Sequence, residues 1–279
     1  MSFRRYFTKT VMYVILVFFG MLFLLPFIWM LLGAFKKPDA IMTIPPISFP
    51  HPVTVVNFKQ AFQLAPITRY YFNSLVVSVL STVGALFSAT VVGYGFARLQ
   101  GRGKNVLFFI ALSSMMIPAQ VTLFPQYLLY YKIGWVNTYL PLIIPTFLGV
   151  SGTTLFIFLM RQFFLSIPKE IEEAAAIDGC STLSTFFRIM LPLTKPALIT
   201  VALFEFVFSW NDFFGPLIYL NNSNLYTLPV AVATFSSEFG LELGPLLAMS
   251  VLALVPVLIL FFIGQRMFVQ GIVTTGLKG

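Results

Sequence analysis

The sequence has 279 residues, of which 58% are hydrophobic and 9% are charged, with a net charge of +8 at pH 7. Soluble domains carry roughly 25% charged residues, so this composition excludes a water-soluble globule and indicates a protein of the lipid bilayer. Nucleic acid is not an expected partner, because a basic excess in a membrane protein is typical of cytoplasmic loops beside anionic lipid.

Six long apolar windows predict the transmembrane helices, because a bilayer core of about 30 Å requires about 20 apolar residues in a helix. Five windows contain no charged residue, and a sixth is equally apolar but contains Glu205 and Asp212. In chain order the windows cover residues 10–35, 70–97, 105–131, 139–160, 197–220 and 243–265. The sequence therefore predicts an all-α membrane protein with six transmembrane helices.

The first window follows Arg4, Arg5 and Lys9 and is similar to the start of a signal peptide. It is longer than a signal-peptide core and lacks a small-residue cleavage site, so we expect it to remain as a helix. A cytoplasmic N-terminus leaves 12 of the 17 basic residues in cytoplasmic segments, as the positive-inside rule requires. Six crossings then place the C-terminus in the cytoplasm as well.

The second window contains a strip of small residues at helical spacing, namely Ser74, Ser78, Ser81, Ala85 and Ser88. Small side chains let two helix backbones approach closely inside a membrane. The strip therefore predicts a contact between helices rather than a ligand site.

The connection between the fourth and fifth windows, residues 161–195, contains four of the nine acidic residues. Ser166 and Pro168 predict the start of a first helix, and Gly179 predicts its end. Glutamates in the first turn are favoured by the helix dipole.

A second helix in this connection is predicted from the N-cap residue Ser181 to about Leu191, with Pro192 closing it. The first helix has a charged face and a face of small apolar residues, which are Ile171, Ala174, Ala175 and Ile177. An amphipathic helix of this shape fits a groove on a partner protein.

The same connection carries a resemblance to a known motif. Glu173-Ala174-Ala175, then three residues, Gly179, nine residues, Ile189, one residue and Leu191-Pro192 resembles the EAA loop of permease subunits of binding-protein-dependent ABC importers. The chain is similar throughout to the carbohydrate-uptake branch of that family, which includes the smaller membrane subunit of the maltose importer. The similar stretches are PFIWMLLGAFKKPDAI, MIPAQVTLFPQYLLYYKIGWVNTYLPLIIP, SWNDFFGPL and QRMFVQGIVTTGLKG.

The resemblance implies the bundle of a type I ABC importer permease (MetI-like) and a division of the chain into three parts. Residues 1–69 are the N-terminal cytoplasmic segment, the first transmembrane helix and an outer loop. Residues 70–270 are the permease domain with the coupling loop at about 161–195, and residues 271–279 are a cytoplasmic tail. The implied location is the cytoplasmic membrane of a bacterium or archaeon.

The resemblance also implies that the loop is a coupling helix, which binds in a cleft of a separate ATPase chain. In that role Glu173 is the charged contact, Ala174 and Ala175 allow close approach, and Gly179 permits the turn. The full set of implied coupling residues is Glu173, Ala174, Ala175, Asp178, Gly179, Ile189, Leu191 and Pro192.

The implied partners are a second homologous permease subunit, two ATPase subunits and an extracytoplasmic solute-binding protein. The sequence has no GxxxxGK[ST] phosphate loop, so we expect this chain to bind no cofactor and the ATPase subunits to use ATP and Mg. The chain is then a transport subunit without a catalytic site, and the implied cargo is a mono-, di- or oligosaccharide.

The fifth window contains polar residues that predict a substrate path. Glu205, Ser209 and Asp212 have the i, i+4, i+7 spacing of one helical face, and an ionisable group inside a bilayer usually faces a cavity or a partner. With Trp210 and Asn211 they combine hydrogen-bonding groups and an aromatic surface, which suits a sugar. A position of the polar residues near the outer surface, with Glu205 paired to a neighbouring helix, would explain them without a substrate.

Several alternatives stay open at this point. The same machine could carry a glycerol-phosphate-type or other polyol solute, and a stand-alone channel or carrier is a further possibility, although no internal repeat supports it. An intramembrane hydrolase would need a nucleophile beside a base, but the single histidine, His51, lies between two prolines in an outer loop. The single cysteine, Cys180, excludes an internal disulfide framework.

Overall fold

The protein is described by a computed structural model that covers residues 2–45, 47–150, 152–240 and 242–276. Its regular elements within these residues are all helical, which confirms the predicted all-α class. In chain order they include α1 (Ser2–Ala34), α2 (Val56–Leu64), α3 (Ile67–Arg98), α4 (Lys104–Ser114), α5 (Ala119–Lys132), α6 (Leu140–Phe147), α7 (Thr154–Ser166), α8 (Glu170–Ile177), α9 (Thr182–Thr185), a π-helical turn (Phe186–Met190), α10 (Leu191–Leu193), α11 (Lys195–Trp210), α12 (Phe214–Tyr219), α13 (Leu228–Phe239) and α14 (Leu243–Gly276).

Three helical stretches are long and apolar enough to cross a membrane, namely Tyr6–Ala34, Ile67–Arg98 and Leu243–Gly264. Two pairs of helices also reach the required length but are bent, by 98° between α4 and α5 and by 74° between Thr182–Leu193 and α11. Length and composition therefore support three crossings, or up to five if each bent pair is one span. The predicted number of six spans is not confirmed by these criteria.

The count differs because a window without charges does not show where a helix ends. The window 139–160 consists of α6 and α7, joined by a turn in which Gly149 and Gly152 have φ of +75° and +86°. This left-handed conformation is open to glycine at little cost and interrupts a helix. The window 197–220 is likewise divided, because α11 ends at Trp210 and α12 begins at Phe214.

The chain forms two compact units, and the first consists of the described residues up to Thr68 together with Ala231–Val255. The buried side-chain amide of Asn57 donates hydrogen bonds to the carbonyl oxygens of Ala34, at 3.0 Å, and Lys36, at 2.7 Å. These bonds satisfy the carbonyl groups of the last residue of α1 and of the turn that follows it.

The second unit consists of Arg69–Val230 and the described residues from Pro256 onward. Its core lies where α3, α7, the π-helical turn and α11 meet. The buried members of this core include Tyr94, Phe156, Met160, Phe164, Phe186, Met190 and Val201. Because the core contains residues from within the segment 161–195, that segment is packed onto the bundle.

The strip of small residues in α3 is buried, as predicted, with each of its five residues at most 2% exposed. The Ser81 hydroxyl donates to the Leu142 carbonyl oxygen at 3.1 Å, and the Ser88 hydroxyl donates to that of Thr146 at 2.6 Å. At Ser81 and Ser88 the strip is therefore a contact between α3 and α6, in which these two hydroxyl groups find backbone acceptors.

Glycine brings α3 close to α7 one turn beyond the strip. A Cβ atom on Gly93 would lie 2.9 Å from the Met160 Cβ and 3.1 Å from the Arg161 backbone nitrogen. Neither atom can move without shifting α7. At Gly95, by contrast, the nearest atom to an added Cβ is a terminal carbon of Leu99 at 4.0 Å.

Replacing Gly93 with alanine should therefore destabilise the protein by about 1–3 kcal/mol, the usual cost of overpacking. The matched variant Gly95→Ala should be neutral or stabilising by up to about 1 kcal/mol, because alanine favours a helix over glycine. Thermal denaturation in detergent measures both effects. Equal melting temperatures for the two variants would contradict the close approach of α3 and α7.

Candidate functional site

The segment that resembles the EAA loop contains a separate short helix, α8. Its first turn contains Glu170, Glu172 and Glu173, as predicted. The predicted cap is wrong, because Ser166 ends α7 and its hydroxyl donates to a carbonyl of that same helix at 2.7 Å. Lys169 occupies the N-cap position of α8 and makes no side-chain hydrogen bond there. The interaction of the three glutamates with the helix dipole therefore stabilises the start of α8 in place of a side-chain cap.

Gly179 ends α8 as predicted, and its backbone explains why glycine stands there. Its φ is +80°. The Cys180 N–H bonds to the Ala175 carbonyl oxygen at 2.9 Å, and the Gly179 N–H bonds to that of Ala176 at 3.1 Å. This pair of bonds is a Schellman motif, which satisfies carbonyl groups at the helix end while the left-handed residue turns the chain.

The second helix of the segment begins at the predicted cap, where the Ser181 hydroxyl accepts the Ser184 N–H at 3.3 Å. The prediction that Pro192 closes this helix is wrong, because the helix passes through the π-helical turn and continues to Leu193. Pro192 lies in the last turn of this helix. The helix ends at Thr194, whose hydroxyl donates to the Leu191 carbonyl oxygen at 2.8 Å.

The sequence predicts a single apolar face for α8, but in the structure these apolar residues are divided between an inward and an outward face. Ile171 packs against the core of the second unit, and Ala175, one turn later, is buried. Glu173, Ala174 and Ile177 are exposed on the other side. The inward residues attach α8 to the bundle and leave a charged and a small side chain next to Ile177 on the surface.

Large apolar side chains are exposed on α8 and on the second helix of the segment. Ile177, Leu183 and Phe187 are exposed by 87%, 70% and 59%. Exposed apolar groups beside polar ones mark a surface for protein contact when they lie outside the bilayer. Of the other predicted coupling residues, Asp178, Gly179 and Pro192 are exposed, and Ile189 and Leu191 are half-buried.

Arg98, the last residue of α3, makes a contact with α8 that the sequence did not predict. Its Nε lies 3.2 Å from Oε2 of Glu172, and the Tyr94 hydroxyl donates to Oε1 of the same carboxylate at 3.0 Å. Its Nη2 donates to the carbonyl oxygens of Phe164, at 2.7 Å, and Ile167. The sequence signal for this contact was an arginine directly after a long uncharged window. The positive-inside rule already accounts for a basic residue at that position, so the contact was not predicted.

α11 carries the first part of the predicted substrate path. Glu205 and Ser209 lie one turn apart on it, and Glu205 is buried. The predicted i, i+4, i+7 face is wrong at Asp212, because α11 ends at Trp210. Asp212 lies in the following turn, where its Oδ1 accepts the Gly215 N–H at 3.2 Å, a local bond that competes with helix continuation.

The aromatic member of the predicted path is enclosed. Trp210 is 1% exposed, and its ring lies 5.3 Å from that of Tyr71 and 5.7 Å from that of Phe206, measured between centroids. Asn211 is exposed, and its amide donates to the Val207 carbonyl oxygen at 2.8 Å. Among the described residues no group of three His, Cys, Asp or Glu side chains is arranged to hold a metal ion.

The sequence matches the family model of the binding-protein-dependent transport system inner membrane component over residues 89–274, which include both candidate segments. An arabinooligosaccharides transport system permease protein of Halalkalibacterium halodurans is 35% identical over 265 residues, covering 94% of each chain. A diacetylchitobiose uptake system permease protein of Streptomyces coelicolor is 31% identical over 265 residues, covering 95% of each chain.

A solved bacterial ABC transporter involved in the import of the acidic polysaccharide alginate contains a chain with the same fold. The TM-score is 0.82, with 95% of this chain and 98% of that chain covered at 22% identity. This likeness concerns the fold, and it supports the permease bundle implied by the sequence.

The turn at Gly179 gives a direct test of the local geometry. No atom lies within 4 Å of a Cβ added there, so substitutions act through backbone conformation alone. Gly179→Val should destabilise the left-handed turn by roughly 1–2 kcal/mol, and Gly179→Asn should cost less because asparagine adopts this conformation more readily. Amide hydrogen exchange of residues 170–180 measures the loss of protection. Equal protection in both variants would rule out the left-handed geometry.

Proposed function

The chain belongs to the family of binding-protein-dependent transport system inner membrane components, and from this membership we propose that it is one of two permease subunits of an ATP-driven carbohydrate importer. The second permease subunit is a homologue, and the two chains together form the path for the solute. This chain contributes transport and coupling, while catalysis belongs to separate ATPase subunits that bind ATP and Mg.

The proposed cargo is a sugar, from monosaccharide to oligosaccharide. Two relatives that match nearly the whole chain are named as permeases for arabinooligosaccharides and for diacetylchitobiose. The transporter with the same fold is named for the import of a polysaccharide. These names support a carbohydrate over a glycerol-phosphate-type solute.

The single observation that carries the coupling role is the outward face of α8. Glu173 and Ala174 are exposed on a short helix that is fixed at its back by Ile171 and Ala175 and ended by the turn at Gly179. A rigid, exposed helix can transmit the movement of a partner that binds it, whereas a flexible loop would absorb that movement. The proposed partner at this face is an ATPase subunit, whose cleft receives Glu173, Ala174 and Ile177.

The proposed path for the sugar runs along α11 and the turn that follows it. Glu205 is buried in a largely apolar helix, and no hydrogen bond or ion pair of its carboxylate is found among the described residues. Ser209 lies one turn away, and Asn211 and Asp212 follow at the helix end. Because a buried polar group is costly without a partner, a sugar hydroxyl or the second permease is the proposed partner of this group.

The members of this family are inner membrane components, so the chain is a multi-pass membrane protein. We propose that both termini lie in the cytoplasm and that α8 lies on the same side, as the distribution of basic residues predicts. An extracytoplasmic solute-binding protein then delivers the sugar from the opposite side. Within the predicted cytoplasmic tail, 271–279, residues 277–279 lie outside the described residues.

Reconstitution tests this function directly. The chain is assembled in liposomes with the second permease and the ATPase subunits, and sugar uptake and ATP hydrolysis are measured with and without loaded binding protein. Glu173→Gln should lower both stimulated hydrolysis and uptake by roughly tenfold, which corresponds to about 1.4 kcal/mol of coupling free energy. The matched control is Glu170→Gln, an exposed acid in the same helical turn but outside the EAA pattern.

The control should behave as the unmodified chain does. Sugar uptake that persists without any ATPase subunit, or equal effects of the two substitutions, would refute the coupling role of Glu173 in such an importer.

A further inference from the structure

α3 is attached at both of its ends to segments that are distant in the sequence. We propose that α3 is a strut that links α8 to the segment 222–228, with Arg98 and Asn73 as positioning residues at its two ends. The proposal rests on the proposed function, because it assigns α3 the transmission of coupling between the ATPase side and the opposite side of the membrane.

The inner attachment is the buried guanidinium of Arg98. The side chains of Arg98 and Glu172 are only 5% and 20% exposed, and their closest atoms are 3.2 Å apart. Removing one partner of such a pair leaves a buried charge without compensation, so the pair resists separation. Since Arg98 ends α3 and Glu172 lies in the first turn of α8, the two helices are fixed to each other.

The same guanidinium also fixes the chain that leads into α8. Its Nη2 donates to the carbonyl oxygen of Phe164, which also accepts the Ile167 N–H, and to that of Ile167, the residue directly after α7. The Tyr94 hydroxyl adds a second contact to Glu172, and the Tyr94 ring packs 5.3 Å from Phe164 and 4.8 Å from Phe186, measured between centroids. α8 is therefore held to α3 by contacts with both of its flanking segments.

The outer attachment is the amide of Asn73. Its Nδ2 donates to the carbonyl oxygens of Asn224, at 2.9 Å, and Tyr226, at 3.0 Å. In the next position Ser74 accepts the Leu228 N–H with its hydroxyl at 2.7 Å. These three bonds hold the backbone between α12 and α13 against the beginning of α3.

The helix between the two attachments is suited to transmit a displacement. Asn73 and Arg98 are separated by 25 residues, or about 38 Å at 1.5 Å per residue, which exceeds the roughly 30 Å of a bilayer core. α3 contains no proline. It is packed closely on its neighbours at Gly84 and Gly93, where an added Cβ would meet α6 and α7 at less than 3.0 Å. A densely packed helix moves as a unit and does not absorb a push at one end.

The test uses the reconstituted assembly and measures the ratio of ATP hydrolysis with loaded binding protein to hydrolysis without it. Glu172→Gln removes the charge of the inner attachment, and Asn73→Leu removes the donors of the outer attachment at similar volume. Each should lower the ratio at least about fivefold, the lower end of typical coupling effects. Arg102→Gln is the control, because Arg102 is an exposed cation four residues beyond Arg98.

The double variant distinguishes a strut from two unrelated structural effects. If α3 carries the coupling, a change at its second end has little further effect once the first end is detached. The double variant should therefore show the same hydrolysis ratio as the single variant with the lower ratio. Independent effects would multiply instead. Tyr94→Phe removes one hydroxyl and keeps the buried ring, and it replaces Glu172→Gln if that variant fails to assemble.

A wild-type ratio in either single variant, or a product of the two effects in the double variant, overturns the strut while the proposed function stands. An unmodified assembly that shows no stimulation by the binding protein overturns the proposed function and the strut with it. Normal assembly with a reduced ratio in both singles, no further reduction in the double and a normal control is the expected result.

Discussion

A guanidinium that leaves water must be met by an opposite charge and by hydrogen-bond acceptors, and this requirement at Arg98 organises the candidate site. The side chain is 5% exposed, and its partners belong to the end of α7 and the beginning of α8. Because these partners lie in different elements, a single residue fixes where α8 begins. The outward face of α8 can then present Glu173 and Ala174 in one defined orientation.

Backbone groups at helix ends elsewhere in the chain also find polar partners within the protein. Asn57 caps the end of α1, Gly179 closes α8 through a Schellman motif, and Asn73 holds the backbone that precedes α13. In each case a polar side chain or a left-handed glycine replaces the water that a soluble helix end would use. Such fixed helix ends suit the proposed role, in which the permease subunit passes movement between an ATPase partner and a solute path.

Local signals predicted three features of the segment 161–195, because the acidic first turn of α8, the stop at Gly179 and the cap at Ser181 each act within a few residues. The windows failed where a helix ends without a charge, as at Gly149 and after Trp210. The Arg98–Glu172 pair escaped prediction for a different reason. Its members are 74 residues apart in the sequence, and each already had a sufficient local explanation.

The most direct test of the account is a distance between spin labels on exposed residues at the two sides of the pair, Gln100 after α3 and Lys169 before α8. Cys180 is the single cysteine, so its replacement by serine leaves only the introduced labels. The distance should be the same in the resting and ATP-bound assembly, because α3 and α8 move together, and should broaden with Glu172→Gln. A distance that shifts between the two states in the unmodified pair would contradict the account.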